Sequence, residues 1–234
     1  MKEIEWNSLL QEGIAVDEAL ERDTRAMEYV DRVTTAQVGS FLCRTLPQYH
    51  DVLFANGAPN YMQSYPRGVI VDAGASCGYA MAQLRQLLPQ AGMVANDIRN
   101  TPLTTFYDGN GQYSVADIFA QYQIHFCQGS LRKMPQMIPH GYDYLTSVVA
   151  FPDHNTSAPY QAHVIEQLYS GLHRDGVMQV LYEPTQAQLQ EVLKYFKKRR
   201  IKHSFTPTSQ EILARNFLAS NGDYLSGTLT IGPK

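Results

Sequence analysis

The sequence predicts a doubly wound α/β domain that follows a helical N-terminal segment, and three observations support this fold class. Strand-like and helix-like segments alternate five times after Pro66. The strand-like segments are short, apolar and rich in β-branched residues, which is typical of strands buried on both faces of a sheet. A strand–helix–strand unit needs a crossover and therefore parallel strands. We expect a mostly parallel sheet with helices on both faces.

The first 65 residues are predicted to be helical. Apolar residues recur at spacings of three and four from Leu9 to Val33, among charged residues, and a second helix is predicted at 36–46. Pro47 ends this second helix. We therefore divide the chain into a helical segment or lid, residues 1–65, and an α/β domain, residues 66–234.

The first strand–helix–strand unit follows directly. A buried strand is predicted at 68–72, a helix at 79–88 and a second strand at Gly92–Asp97. Pro89 ends the helix, whose inner face is predicted to consist of Met81, Leu84, Leu87 and Leu88.

The later elements repeat the alternation. The turn signal at 108–111 precedes a helix begun by Ser114. Further strands are predicted at 124–127, 142–150, 177–182, 203–206 and 224–231, and further helices at 158–172 and 186–198.

Composition excludes several classes of protein. The net charge of −3 gives no general attraction to nucleic acid or to an anionic membrane, so neither is an expected partner. No secretory signal and no apolar stretch of membrane-spanning length is recognisable. Three widely separated cysteines, and histidines without HxxxH pairing, predict neither a disulfide framework nor a metal site. A reducing compartment, by default the cytoplasm, is predicted.

The turn at 73–78 is the most informative segment. Gly74 and Gly78 can adopt positive φ without steric cost, and the amides of the next helix can then face polar groups of a ligand. Asp97 follows Gly78 by 19 residues, at the end of the second strand, where a carboxylate can bind ribose hydroxyls. These features predict a nucleotide-containing cofactor. The alternative is a tight turn at the glycines and a helix cap at Asp97.

The turn reads D-x-G-x-S-x-G from Asp72 to Gly78, which is neither the G-x-G-x-x-G of NAD sites nor a P-loop. It resembles motif I of class I S-adenosylmethionine-dependent methyltransferases. The resemblance covers residues 66–182, where 126–130, 142–145 and 172–176 are similar to the third strand, the fourth strand and the turn into the fifth strand of that family. It implies a mostly parallel, seven-stranded sheet whose last two strands form a hairpin at one edge.

By this resemblance, Asp72, Gly74 and Gly78 would surround the methionine part of S-adenosylmethionine, and Asp97 would hold the ribose. The implied cofactor-binding residues are Asp72, Gly74, Ala75, Ser76, Gly78, Asp97, Ile98 and Ser130. Two of them depart from the family pattern: Ser76 replaces a second glycine, and Ser130 replaces a common aspartate near the adenine. A serine hydroxyl can bind the adenine amino group, but without charge assistance.

Residues after the fourth strand are predicted to face the methyl acceptor, because ligands bind beyond the carboxyl ends of strands in open sheets. Segment 150–155 lacks the Asn/Asp-Pro-Pro-Tyr/Phe motif that marks methyltransferases acting on planar amide or amino nitrogens. Asp153 and His154 are the predicted catalytic residues, which would orient or deprotonate an acceptor; the alternative is a solvated loop with a capping acid.

The predicted function is methyl transfer to an oxygen or nitrogen atom of a small-molecule or protein acceptor. Two alternatives stay open. One is a methyltransferase-like domain that acts through protein interaction. The other is an NAD-dependent oxidoreductase, which the glycine spacing disfavours.

Overall fold

A computed structural model of the chain describes residues 3–24, 30–31, 64–75, 78–99, 101, 105–108, 111–148, 155–215 and 224–233. The strands are β1 (Val30–Asp31), β2 (Val69–Ala73), β3 (Gly92–Asp97), β4 (Thr105–Asp108), β5 (Gly111–Ser114), β6 (Ile124–Gln128), β7 (Tyr142–Ser147), β8 (Leu172–Tyr182), β9 (His203–Pro207) and β10 (Gly227–Ile231). The α-helices are α1 (Glu3–Thr24), α2 (Tyr79–Leu87), α3 (Val115–Gln121), α4 (Met134–Met137), α5 (Ala158–Gly171), α6 (Gln186–Arg199) and α7 (Gln210–Arg215). A short 3₁₀ helix covers Leu131–Lys133.

Seven strands form the main sheet, in the order β6-β3-β2-β7-β8-β10-β9. The first five are parallel, and β10 is antiparallel to both of its neighbours. This arrangement confirms the predicted fold class, including the pairing of the last two strands at one edge. The chain begins the sheet at β2, runs outward to β3 and β6, and returns to β7 on the other side of β2. Strand order therefore reverses between β2 and β7, which is where open α/β sheets form a crevice for ligands.

Apolar side chains cover both faces of the main sheet. On one face, Ile70 and Met93 belong to a buried layer with α2 and α3. On the other face, Leu145 and Val180 belong to a layer with α5 and α6. Alternate side chains of one strand point to opposite faces, so each central strand contributes to both layers.

Three of the helices around the sheet are capped at their N-termini by a side chain that accepts a hydrogen bond from a backbone amide. The hydroxyl of Ser114 accepts a hydrogen bond from the amide of Asp117 in the first turn of α3. The hydroxyl of Ser157 accepts one from the amide of Tyr160 in the first turn of α5. Thr185 and Gln188 form a reciprocal capping box at α6. In contrast, α2 follows Gly78, and within the described residues no side-chain cap hydrogen bond precedes it.

Helix α1 packs on the α/β domain. Trp6 stacks on Tyr195 of α6, with ring centroids 5.4 Å apart and an interplanar angle of 10°. Gly13 lies against Tyr160 of α5, and a Cβ at residue 13 would come within 2.6 Å of that side chain. The hydroxyl of Ser157 donates to the carbonyl of Leu9 at 3.2 Å.

A small second sheet pairs the N-terminal segment with the chain between β3 and α3. β4 and β5 form an antiparallel pair between β3 and α3. β1 pairs in parallel with β4, with Val30 opposite Thr105. The helical pattern predicted as far as Val33 is therefore wrong at 30–31, because pairing with β4 determines the conformation there. The helix predicted at 36–46 lies outside the described residues.

Two further predictions need correction. Leu87 does not face the core but is 67% exposed. Met81, Leu84 and Leu88 already share one helix face, and Leu87 lies about 100° around the helix from Leu88. Strand β8 begins at Leu172 and not at residue 177, because its first residue pairs with Tyr142 before a shift in register.

Candidate cofactor site

The turn between β2 and α2 depends on two glycines in the left-handed region. The φ angle is +73° at Gly74 and +71° at Gly78, a conformation that a Cβ disfavours. At Gly78 a Cβ would also overlap the ring of Phe119 on α3. Ala75 lies within the turn, and its carbonyl accepts a hydrogen bond from the Gly78 amide at 2.9 Å.

Asn96 joins the ends of three strands. Its backbone carbonyl accepts hydrogen bonds from the amides of Gly74 (2.7 Å) and Ala75 (3.0 Å). Its side-chain Nδ2 donates to the carbonyls of Cys127 (2.9 Å) and Gly129 (3.0 Å). Asn96 therefore fixes the glycine turn and the end of β6 relative to β3. The amides of Gly74 and Ala75 are therefore used in hydrogen bonds within the protein.

Asp97 lies at the carboxyl end of β3 and is only 4% exposed. Its Oδ1 accepts hydrogen bonds from the backbone amide of Arg99 at 3.0 Å and from Nε of Arg99 at 3.3 Å. Both contacts that the Asp97 carboxylate makes with described residues are on Oδ1, and Oδ2 can accept a hydrogen bond from a ligand hydroxyl. Asp97 also caps the turn after β3, which is the alternative role that the sequence left open.

Ser130 lies two residues after β6 and is 3% exposed. Its hydroxyl accepts a hydrogen bond from the Arg132 amide at 3.3 Å, which begins the 3₁₀ helix. The same hydroxyl is hydrogen-bonded to Tyr160 of α5. Ile98 lies at the neighbouring strand end, where its carbonyl accepts a hydrogen bond from Gln128 at 3.4 Å. Ile98 and Ser130 are thus on adjacent strand ends.

Asp72 lies inside the sheet rather than at its rim. It is 1% exposed and stands opposite Ala95 of β3 and Thr146 of β7. The glycine turn begins two residues later. Asp72 is therefore next to the switch point of the sheet.

Three predicted site residues lie outside the described residues: Ser76, Asp153 and His154. The nearest described residues around the last two are Val148 and Asn155. Just beyond, the carbonyl of Thr156 accepts hydrogen bonds from Gln161 (2.9 Å) and Gln188 (2.8 Å). The start of α5 is thereby fixed next to the predicted acceptor loop.

Buried polar atoms without a partner are concentrated at this edge of the sheet. Five buried side-chain oxygens have no hydrogen-bond partner within the described part of the chain. Four of them belong to residues at or just after the ends of β3 and β7: Asn96, Thr101, Thr146 and Ser147. An unpaired buried polar atom is unfavourable, so these oxygens suit a site that receives a polar ligand.

Two residues important for this geometry carry no sequence motif. Asn96 has one signal, a polar side chain at the end of the apolar strand β3. Tyr160 has none, since its contact Asp17 is 143 residues away in the sequence.

Two features are absent from the residues that the structure describes. No group of three or more His, Cys, Asp and Glu side chains is arranged to hold a metal ion there. None of the described helices has the length and apolar character needed to cross a bilayer.

Comparison with known proteins identifies the fold. No protein-family model matches the sequence, and no curated protein matches it at a significant level. Among solved structures, the plantazolicin methyltransferase BamL, in complex with a triazolic desmethylPZN analog and SAH, is 9% identical, with 80% of this chain and 86% of that chain covered and a TM-score of 0.55. Magnesium protoporphyrin IX methyltransferase (ChlM) from Synechocystis PCC 6803, with bound SAM, is 14% identical, with 80% of each chain covered and a TM-score of 0.47.

The likeness to BamL and the strand arrangement together show that the chain has the class I methyltransferase fold. This confirms the fold that the motif resemblance implied. At 9% identity, the likeness concerns the fold alone.

Proposed function

We propose that the protein binds S-adenosylmethionine at the carboxyl ends of β2, β3 and β6 and transfers its methyl group to an oxygen or nitrogen acceptor. One observation carries the proposal: the glycine turn at Gly74 and Gly78 lies beside Asp97 at the tip of the next parallel strand. This is the arrangement that binds a ribose and its attached groups in open α/β sheets. The fold neighbour BamL was solved with SAH.

The residues present fit the parts of this cofactor. Oδ2 of Asp97 would accept a hydrogen bond from a ribose hydroxyl. The glycine turn, including Ala75 and Ser76, and the first turn of α2 would face the amino-acid end of the cofactor, with Asp72 close to the start of the glycine turn. Ile98 and Ser130 would flank the adenine.

When bound, the cofactor supplies a methyl group on a positively charged sulfur. The chain then has to hold the acceptor in line with that methyl group and keep water out. Asp153 and His154 are proposed to orient or deprotonate the acceptor, and segment 1–65 is proposed to cover the site. A small molecule or a protein is the proposed acceptor, and the reducing compartment that the cysteines predict is the proposed location.

Methyl transfer from S-adenosylmethionine with a tritiated methyl group tests the proposed reaction. The full chain is incubated with separate pools of small amines, small hydroxyl compounds and proteins. We expect label in one pool, and a rate about 100-fold lower for His154→Ala, because a general base contributes at least that factor. Affinity for S-adenosylhomocysteine should not change in this variant. His140→Ala, an exposed histidine at the opposite end of β7, is the matched control and should keep the full rate.

A second candidate function is a methyltransferase-like domain that acts through protein interaction. Ser130 in place of the common aspartate is the observation that favours it. Absence of label in every pool, together with normal binding of S-adenosylhomocysteine, would support this candidate over catalysis.

A further inference from the structure

Three side chains from separate elements form a buried hydrogen-bonded chain beside the candidate site. The Tyr160 hydroxyl of α5 is hydrogen-bonded both to the Asp17 carboxylate of α1 and to the Ser130 hydroxyl after β6. Tyr160 is 6% exposed, Ser130 is 3% exposed, and the Asp17 side chain is 12% exposed. Burial first, and then the Asp17 carboxylate, raise the pKa of Tyr160 far above its ordinary value, so its hydroxyl keeps its proton.

The direction of these hydrogen bonds follows from their chemistry. An ionised carboxylate only accepts, so the Tyr160 hydroxyl donates to Asp17. The Ser130 hydroxyl then donates to the oxygen of Tyr160. One lone pair of Ser130 accepts a hydrogen bond from the Arg132 amide at 3.3 Å. No other described residue donates a hydrogen bond to Ser130, so its second lone pair can receive one from a ligand, towards which Ser130 can only act as an acceptor.

The hydrogen bonds from Ser130 to Tyr160 and from Tyr160 to Asp17 also transmit the effect of the Asp17 charge to Ser130. Each donated hydrogen bond increases the electron density on the next oxygen, and this effect is stronger in a buried, low-dielectric setting. Asp17 therefore makes Ser130 a better acceptor than an isolated hydroxyl would be. Ser130 stands where the family that the sequence resembles commonly has an aspartate. Through Tyr160, the Asp17 carboxylate therefore acts at that position.

Ion pairs hold α1 in the position in which Asp17 contacts Tyr160. Arg132 contacts Asp17 through Nε at 2.9 Å and Glu18 through Nη2 at 2.8 Å. Lys133 pairs with Glu21 of the same helix. These contacts hold α1 against the 3₁₀ helix that follows Ser130, while Gly13 allows α1 to approach Tyr160 closely.

We propose that Asp17 and Tyr160 orient Ser130 as the acceptor for the exocyclic amino group of the cofactor's base, and that α1 is thereby a part of the cofactor site. Asp17 and Tyr160 are positioning residues, because they act through Ser130. The inference rests on the proposed function, since it concerns how the same cofactor is recognised.

Calorimetric titration of the full chain with two ligands tests this inference. S-adenosylhomocysteine carries an amino group on its base, whereas S-inosylhomocysteine carries an oxo group that can only accept. We expect the unmodified protein to prefer the amino ligand by about 10-fold or more, since an acceptor facing an oxo group loses its hydrogen bond. Tyr160→Phe and Asp17→Asn should each lower affinity for S-adenosylhomocysteine about 3- to 10-fold and reduce the preference below about 3-fold.

Two controls separate positioning from a general structural effect. Glu12→Gln changes an exposed carboxylate of the same helix and should alter neither affinity nor preference. In a Ser130→Ala background, Asp17→Asn and Tyr160→Phe should have no further effect on the preference, because the residue through which they act is gone.

The outcomes distinguish this inference from the function on which it rests. If the unmodified protein binds neither ligand, both are overturned. If it binds S-adenosylhomocysteine and Tyr160→Phe keeps the full preference for the amino ligand, the inference alone is overturned. Equal weakening of both ligands in the variants would likewise indicate a merely structural role for α1.

Discussion

Replacement of Asp97 by alanine is expected to lower the affinity for S-adenosylhomocysteine about 30- to 300-fold, because one or two hydrogen bonds to a charged acceptor are lost. The protein should stay folded. The contacts of the carboxylate with the described residues are both to Arg99, whose side chain is 33% exposed and can turn to water. Calorimetric titration measures the affinity, and thermal unfolding without ligand measures the stability.

Two variants sharpen this test. Asp97→Asn keeps the size of the side chain and removes its charge. Its affinity for S-adenosylhomocysteine should therefore lie between that of the unmodified protein and that of Asp97→Ala. Asp117→Ala removes an exposed carboxylate from α3 and should leave affinity unchanged. Unaltered binding in Asp97→Ala would mean that the ribose is held elsewhere or that no ribose is bound.

Replacement of Gly78 by alanine is expected to have the largest effect on stability. The φ angle of +71° costs about 1–2 kcal/mol for a residue with a Cβ. Overlap of the new methyl group with the Phe119 ring adds about 1–3 kcal/mol. Together these lower Tm by about 5–15 °C for a chain of this size. Scanning calorimetry measures the change.

Gly92→Ala is the matched control for this substitution. Gly92 is exposed at the start of β3, and the nearest atom to an added Cβ is Cγ2 of Val69 at 3.5 Å, an ordinary contact. Its Tm should change by no more than about 2 °C. In a Phe119→Leu background, Gly78→Ala should cost only the backbone part of the loss, because the smaller side chain removes the overlap. A Tm for Gly78→Ala equal to that of the unmodified protein would contradict the described turn.

The sequence predicts the first strand–helix–strand unit to within about one residue of its observed bounds. The reason is local, since short β-branched strands, Pro89 and the glycines each act on their immediate neighbours. The sequence also predicts the helix start at Ser114, for the same reason. Asp97 could be identified because strand alternation fixes where its carboxylate lies.

Other parts of the fold depend on contacts between distant residues, which no local pattern records. The pairing of Val30 with Thr105 makes a strand where periodicity predicted a helix. The contact of Tyr160 with Asp17 depends on where α1 packs, and the sequence predicted only that α1 is a helix. Asn96 orders three strand ends through hydrogen bonds that appear only when β2, β3 and β6 are side by side.

Thermal unfolding of the full chain with S-adenosylmethionine, S-adenosylhomocysteine and NAD tests the central claim most directly. A ligand at 100 times its dissociation constant stabilises the folded state by about 2.7 kcal/mol, which raises Tm by about 5–10 °C for a chain of this size. We expect this rise with both sulfur compounds, none with NAD, and a much smaller rise in Asp97→Ala. No rise with either sulfur compound, or an equal rise with NAD, would contradict an S-adenosylmethionine site at the ends of β2, β3 and β6.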